Sequence, residues 1–454
     1  MTMAKKAKIL KKDKERELLI VNPDAAGIDI SSTEYQVCVP EYRDKDFNRR
    51  FDSFTCDLHA IARWLKQCNI KTIAMEATGI YWIQIFLILQ DYGFDVILVN
   101  AKHIKNIAGK KTDVVDASWI QILHSYGLLE ASFQPDNYTR QLRNITRHRE
   151  NLVRTAARAA QHMQKALEMM NVKVHKVISD ILGKSGISII NAILSGERNA
   201  SKLSLYADSR VKASREEIIK SLEANWSNDQ LFILKQAYEN YTFIKQQIDD
   251  CDKEIQTCLN SFPNNNKVSD EALIRSKKRK GRKNDLNFDG ENLIYKAFGV
   301  NLTRVPGMSN LTVLKLLSEL GSDFTNKFSD HKRFSSWANV VPNNKISGGR
   351  ILKSFVPKKK NHVGNILRMA ASTLRKSNSA LGNYFRKIQS RQGYAQAVVA
   401  TAHKLARIIY TLVSKQIEYN DYLVLDISKQ ALIKKLNYHK RSITKIESDI
   451  LLYT

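Results

Sequence analysis

From Ala25 onward apolar and polar residues change places with a period of two. The segments AAGIDISS (25–32), EYQVCVP (34–40) and RRFDSFT (49–55) keep this alternation, with turn residues between them. That is the pattern of three half-buried strands. The spacing then lengthens to helical in DLHAIARWLKQC (57–68) and shortens to a strand in KTIAMEA (71–77). An apolar helix, GIYWIQIFLILQDYG (79–93), ends at a glycine. A strand, FDVILVN (94–100), and a helix, VDASWIQILHSYG (115–127), complete the run. The order β-β-β-α-β-α-β-α predicts an α/β domain with a mixed sheet over residues 21–135.

Beyond this point the period is helical. TRQLRNITRHRENLVRTAARAAQHMQKALEMM (139–170) carries recurrent arginines on a face opposite Leu142, Ile145, Leu152 and Val153. A second helical region, 214–259, contains LFILKQAYENYTFIKQQIDDCDKEIQTCL (231–259), with apolar residues near coiled-coil spacing. Together they predict an antiparallel arm over 136–260, built for dimerisation or by ordinary helix packing. Residues 261–292 are polar, Asn-rich and basic at KKRKGRK, and predict an exposed linker. A second, mostly α-helical domain is expected over 293–420. It opens with LTRVPGMSNLTVLKLLSELG (302–321), read as helix, Pro-Gly turn, helix. Such a helix-hairpin-helix-like element presents backbone N–H groups to phosphate, although Ser309 stands where its second glycine belongs. A helix follows at AVVATAHKLARIIYTLVSKQ (397–416). Residues 1–20 form a basic extension and 421–454 a helical tail.

Charge narrows the function. The 454 residues include 72 Lys and Arg against 45 Asp and Glu, a formal net charge of +27. That surplus repels itself and binds polyanions, so nucleic acid is the expected partner. The five cysteines, Cys38, Cys56, Cys68, Cys251 and Cys258, form no CxxC pair. They fit a reducing cytoplasm and argue against a zinc ribbon or disulfide framework. The N-terminus is basic without the apolar core of a signal peptide. The most hydrophobic run, IYWIQIFLIL (80–89), is too short to span a bilayer. His103, His124, His331 and His362 lack metal-ligand spacing and read as packing residues. No Walker loop is present, and ATP use is not expected.

Four acids occupy telling places in this cationic chain. Asp29 lies in the first strand and Glu76 ends the strand TIAMEATG. Asp113 and Asp116 stand three apart in KKTDVVDA, on one face if helical. Ligands of α/β sheets gather at the carboxyl ends of strands. Four carboxylates converging there need cations between them. Mg²⁺ takes carboxylate and phosphate oxygens, and two such ions about 4 Å apart serve phosphodiester chemistry. The plainer readings are a solvated strand-end cap and a helix N-terminal acid pair favoured by the macrodipole. Ser347, in NNKISGGRILKS, offers an exposed hydroxyl near Lys345, Arg350 and Lys353. Cations stabilise both an alkoxide and a pentavalent transition state, but Ser-Gly-Gly is also an ordinary turn.

Taken together, GIDIS, MEATGIYW and KTDVVDA resemble the DEDD-type transposases of the insertion-sequence one-ten family, relatives of the Piv site-specific DNA invertases. The segments VPGMS, FSSWANVVPNNKISGGR, GNILRMAA and YFRKIQSRQGYAQAVVATAHKLA are similar to that family's C-terminal domain. The resemblance covers roughly 25–130 and 300–415. It implies a RuvC-like (RNase H-like) first domain, whose strand and helix order matches the pattern above. It implies a tetrad of Asp29, Glu76, Asp113 and Asp116 holding Mg²⁺, with Mn²⁺ as the alternative ion. It implies Ser347 as the nucleophile of a transient phosphoserine link. The family's usual Gln before this serine is Ile346 here, and the loop VPKKKNHVGN is unusually basic.

The resemblance further implies DNA as substrate, both element ends and target, and a non-coding bridge RNA as guide. It implies dimers assembling to a tetramer, in a bacterial or archaeal nucleoid. The acids and the serine lie more than two hundred residues apart. They are expected to meet by domain docking, within one chain or between subunits. Charge alone assigns nucleic-acid contacts to Lys110, Lys111, Arg140, Arg143, Arg147, Arg154 and Arg158, the arginine helix being a candidate RNA surface. It assigns others to Lys345, Arg350, Lys353, Lys358, Lys359 and Lys360. The competing readings are a RuvC-like structure-specific endonuclease using water and a non-catalytic nucleic-acid-binding protein.

Overall fold

The computed structural model describes residues 19–100, 116–263, 283–356, 361–425 and 429–451. The chain divides into two compact units, 1–134 and 135–454. No helix among the described residues is long and apolar enough to cross a membrane.

The first unit is an α/β layer structure. Its strands are β1 (Ala25–Ile30), β2 (Glu34–Cys38), β3 (Asn48–Asp52), β4 (Thr72–Glu76) and β5 (Asp95–Val99). They lie in the order β3-β2-β1-β4-β5. The β1–β2 and β2–β3 pairs are antiparallel, and β1–β4 and β4–β5 are parallel. Helices α1 (Thr55–Gln67) and α2 (Trp82–Asp91) cover one face. There Ile28, Ile30, Val37, Ile73, Met75 and Leu98 pack on Ile61, Leu65, Ile85 and Leu89. Alternation then fixes the other face, where α3 (Asp116–Ser125) lies. Its Ile120 and Leu123 pack on Ala74 and Val99. The expected mixed sheet is present, with helix ends within a few residues of the predicted ones.

Gly27 sets how closely α3 approaches. A Cβ at this position would sit 2.3 Å from the Ala117 carbonyl oxygen and 2.3 Å from the Gln121 nitrogen, both backbone atoms. Gly27→Ala must therefore lift α3 off the sheet. The expected loss is about 2–3 kcal/mol, the usual cost of overpacking against atoms that cannot rotate away. Urea unfolding followed by tryptophan fluorescence measures it, and unchanged stability would show that the helix does not need this contact.

The second unit is helical. Helices α4 (Asn137–Met169) and α7 (Asn228–Asn260) run antiparallel, with Arg149 against Asp252, Ala156 against Ile244 and Ile248, and Met163 against Leu234 and Ala237. Between them α5 (Lys184–Leu194) and α6 (Arg215–Leu222) close a local core around Ile190, Ile193 and Leu222. The predicted helical region 214–259 is thus made of two helices, α6 and α7, with residues 223–227 between them. After the linker come α8 (Glu291–Phe298), α9 (Asn310–Leu320) and α10 (His331–Trp337), then a hairpin of β6 (Asn343–Ser347) and β7 (Arg350–Phe355). Helices α11 (His362–Thr373), α12 (Ala380–Gln392), α13 (Tyr394–Lys415) and α14 (Lys429–Leu451) follow. The arm and the C-terminal helices form one unit rather than two, since Arg143 and Arg147 of α4 bond to Glu319 of α9.

The helix predicted before the Pro-Gly turn is only a 3₁₀ turn, Leu302–Arg304. Val305 precedes Pro306 and is extended, at φ −71° and ψ 122°. A residue before proline is barred from the helical region by the ring. The second helix of that element, α9, forms as predicted, capped by Ser309, whose hydroxyl accepts from the Thr312 N–H.

Candidate active site

The two described acids of the predicted tetrad stand side by side. Strands β1 and β4 are parallel and in register from Ala25–Thr72 to Ile28–Met75. The next residues along the two strands are Asp29 and Glu76. Gly27 and Ala74 face α3, so two residues further on Asp29 and Glu76 point to the same face. Both are half-buried, at the carboxyl end of their strands. An Asp29 oxygen accepts from the Ile30 N–H at 2.9 Å.

Helix α3 brings its N-terminus to this end of the sheet. Gln121 Nε2 donates to the Ala25 carbonyl, and the Ser125 carbonyl accepts from Val21 and Asn22. Ala117 lies over Gly27. The helix therefore runs opposite to β1, and Asp116, its first residue, starts at the Asp29 end. Asp113 lies outside the described residues, as do Lys110 and Lys111; of Asp116 only the backbone is described.

A polar rim surrounds Asp29 that the alternation alone does not single out. Gln36 is its cross-strand partner. Gln36 Nε2 donates to Asn48 Oδ1 at 2.6 Å, and Asn48 Nδ2 donates to Ser118 Oγ of α3 at 3.1 Å. The signal available in the sequence was Gln36 and Asn48, polar residues on the face of β2 and β3 that Asp29 shares. At the opposite end of α3, His124 is buried and bonded to Thr72 Oγ1 at 2.9 Å. Burial pushes its pKa down, with Asp95 opposing, as befits a packing residue.

Among the described residues no three His, Cys, Asp or Glu side chains stand close enough to hold a metal ion. The described donors nevertheless suit a hard cation: two carboxylates on one face, half-buried, beside a helix N-terminus.

Ser347 ends β6 at the tip of a two-stranded hairpin. The turn expected at Ser-Gly-Gly is thus the turn of a strand pair. Gly348 and Gly349 take φ of +54° and +76°, the paired positive values of a tight turn that suits strand twist. Arg350 is the cross-strand partner of Ser347, and Lys345 that of Lys353. These six residues are exposed, and Leu352 is 71% exposed. Like charges directly opposed on a ladder repel, which an anion would relieve. Lys358, Lys359 and Lys360 lie outside the described residues.

The arginine helix departs from expectation. Its arginines do not share one solvated face. Arg149 is 2% exposed and pairs with Asp252 through Nε–Oδ1 at 2.5 Å and Nη2–Oδ2 at 3.1 Å. Arg147 grips Glu319 with two bonds of 2.7 and 2.8 Å. Arg143 donates to the Ser318 and Glu319 carbonyls at the end of α9. Burial lowers its pKa, against the pull of Glu319. Arg140 is half-buried. Arg154 and Arg158 are exposed, Arg154 loosely paired with Glu150 at 3.7 Å. Charge along a helix counts cations but not the partners that tertiary packing supplies.

Two family models match the chain. Residues 26–172, which contain Asp29, Glu76 and α3, match the DEDD transposase model of the IS110 family. Residues 300–386, which contain the Ser347 hairpin, match the model described as Transposase IS116/IS110/IS902 family. No curated protein matches the sequence. The acids of one unit and the hairpin of the other thus fall each within its own matched segment, and the chain belongs to the IS110 family of transposases.

Proposed function

We propose that this transposase cuts and rejoins DNA through Ser347, with Asp29, Glu76, Asp113 and Asp116 as ligands of Mg²⁺, Mn²⁺ being the alternative. The observation that carries the reading is the hairpin: an exposed hydroxyl at a glycine turn, with Arg350 across from it and the Lys345–Lys353 pair behind. Ser347 Oγ attacks a backbone phosphorus, one P–O ester bond breaks, and the freed strand hydroxyl leaves with a proton. The phosphoserine ester keeps the energy of the broken bond, so an incoming strand hydroxyl can reverse the step. Arg350 and the two lysines hold the phosphate and balance charge in the transition state. A DEDD domain is generally dependent on a divalent metal; bound by the acids, the ion supplies Lewis-acid activation of the phosphate.

The non-coding guide RNA and the dimer-to-tetramer assembly belong to the same proposal. The net charge of +27 and the exposed Arg154 and Arg158 support an RNA surface. Arg143, Arg147 and Arg149 no longer enter that surface, since their guanidinium groups serve internal contacts.

The test is to quench the reaction in denaturant and look for a protein–DNA adduct. The expected result is an adduct lost in Ser347→Ala and kept in Ser354→Ala. An enzyme that cleaves fully without any adduct, and equally well as Ser347→Ala, uses water and refutes the serine.

A further inference from the structure

Helices α4, α9 and α11 enclose a trough of about 840 Å³ within the second unit, a size suited to a nucleotide-sized ligand. Its α9 floor is lined by Thr312 and Lys315, and its walls by Thr146, Arg154, Ile366 and Met369. One wall group is anomalous. Thr146 is 2% exposed, and its hydroxyl has no hydrogen-bond partner among the described residues. A buried, unpaired hydroxyl is costly, and one that lines a cavity points to a polar ligand.

The charges on the trough say which kind. Lys315 is neutralised by Glu150 at 2.6 Å, and Arg147 by Glu319. Lys315 and Arg147 are thus each held in an ion pair and not turned toward a ligand's phosphate. What remains is neutral hydrogen-bonding capacity beside apolar sulfur and methyl groups: the Thr146 hydroxyl, the exposed Asn365 amide, half-buried Ile366 and Met369, 70% exposed. Such a mixture suits the edge and face of an unstacked base. Arg154, 67% exposed at the rim and held only at 3.7 Å by Glu150, is the cation available to its phosphate.

We infer that this trough holds an unpaired nucleotide base, with the Thr146 hydroxyl bonding its edge and Arg154 its phosphate. The inference rests on the chain's membership of a DNA-recombining family, and not on the serine or the guide RNA. The test uses the full chain with a short single-stranded oligonucleotide carrying 5-iodouracil, and a blunt duplex of the same sequence.

Ultraviolet crosslinks are expected on peptides containing Met369 or Met308, which also lines the trough. Thr146→Val keeps the shape and removes the hydroxyl. It is expected to weaken single-strand binding about fivefold, the worth of one hydrogen bond, without changing duplex affinity. Its melting temperature should be no lower than that of the unaltered protein. Met369→Ala, at an exposed position, should cut the crosslink yield and gives a second readout if Thr146→Val folds poorly. Crosslinks confined to other surfaces, unchanged single-strand affinity, or an equal loss on single strand and duplex would each overturn the trough. Failure of the unaltered protein to bind either probe would instead overturn the nucleic-acid reading beneath it.

Discussion

Glu76→Gln and Asp29→Asn are each expected to slow strand cleavage at least about a thousandfold, equivalent to losing several kcal/mol of charge stabilisation at the scissile phosphate. Both exchanges keep the side-chain shape. Both positions are half-buried, at the carboxyl ends of strands whose cores are otherwise untouched. The fold should therefore survive. Two carboxylates on neighbouring strands of one sheet face repel each other when no cation lies between them. Added Mg²⁺ should raise the melting temperature of the unaltered protein by binding the folded state and raise that of the variants much less. A nicking assay on plasmid DNA and a melting series with and without the ion measure the two effects separately. Full cleavage by Glu76→Gln would remove the acid pair from the chemistry. A thermal shift equal in variant and parent would place the ion elsewhere.

The prominence of this pair in the sequence follows from the kind of order that strands impose. Alternation fixes which face each residue takes, so Asp29 and Glu76 could be put on one sheet from AAGIDISS and KTIAMEA alone. Register added the rest: Ile28 beside Met75 makes Asp29 and Glu76 next neighbours. The hairpin was hidden for the opposite reason. The described side chains of its strands are exposed, so NNKIS and RILKSF carry no periodic apolar signal, and the two glycines read only as a turn. The arginine helix misled in a third way. Periodicity finds the apolar stripe of α4, but the acid that turns Arg149 inward is Asp252, 103 residues away. No local pattern encodes that pairing. The Pro306 break was available in principle, since a proline restricts the residue before it, yet the flanking Leu302 and Val305 imitate a helical stripe.

Removing one partner of the Arg149–Asp252 pair should have the largest effect on stability in this chain. Arg149→Met is expected to cost about 3–5 kcal/mol, because it leaves the Asp252 carboxylate buried and unpaired. Asp252 is 1% exposed, and water cannot reach it to compensate. Replacing both, Arg149→Met with Asp252→Leu, removes the stranded charge along with its partner and should restore much of the loss. The recovery should stop short of the parent for a reason specific to this site. Arg149 also donates to the Asn284 and Asp285 carbonyls, and Asp252 accepts from the Asn287 N–H. These bonds tie residues 284–287, in the last part of the predicted linker, onto the helical arm. In the double variant those backbone groups lose their partners, and the segment should become the first part of the second unit to exchange its amide hydrogens. Urea unfolding of the two single variants and the double gives the coupling between the residues, and hydrogen exchange at 284–287 reports the anchor. A single variant as stable as the parent would mean that the buried carboxylate has taken up a proton or found another donor, and the pair would not be what joins α4 to α7 at this layer.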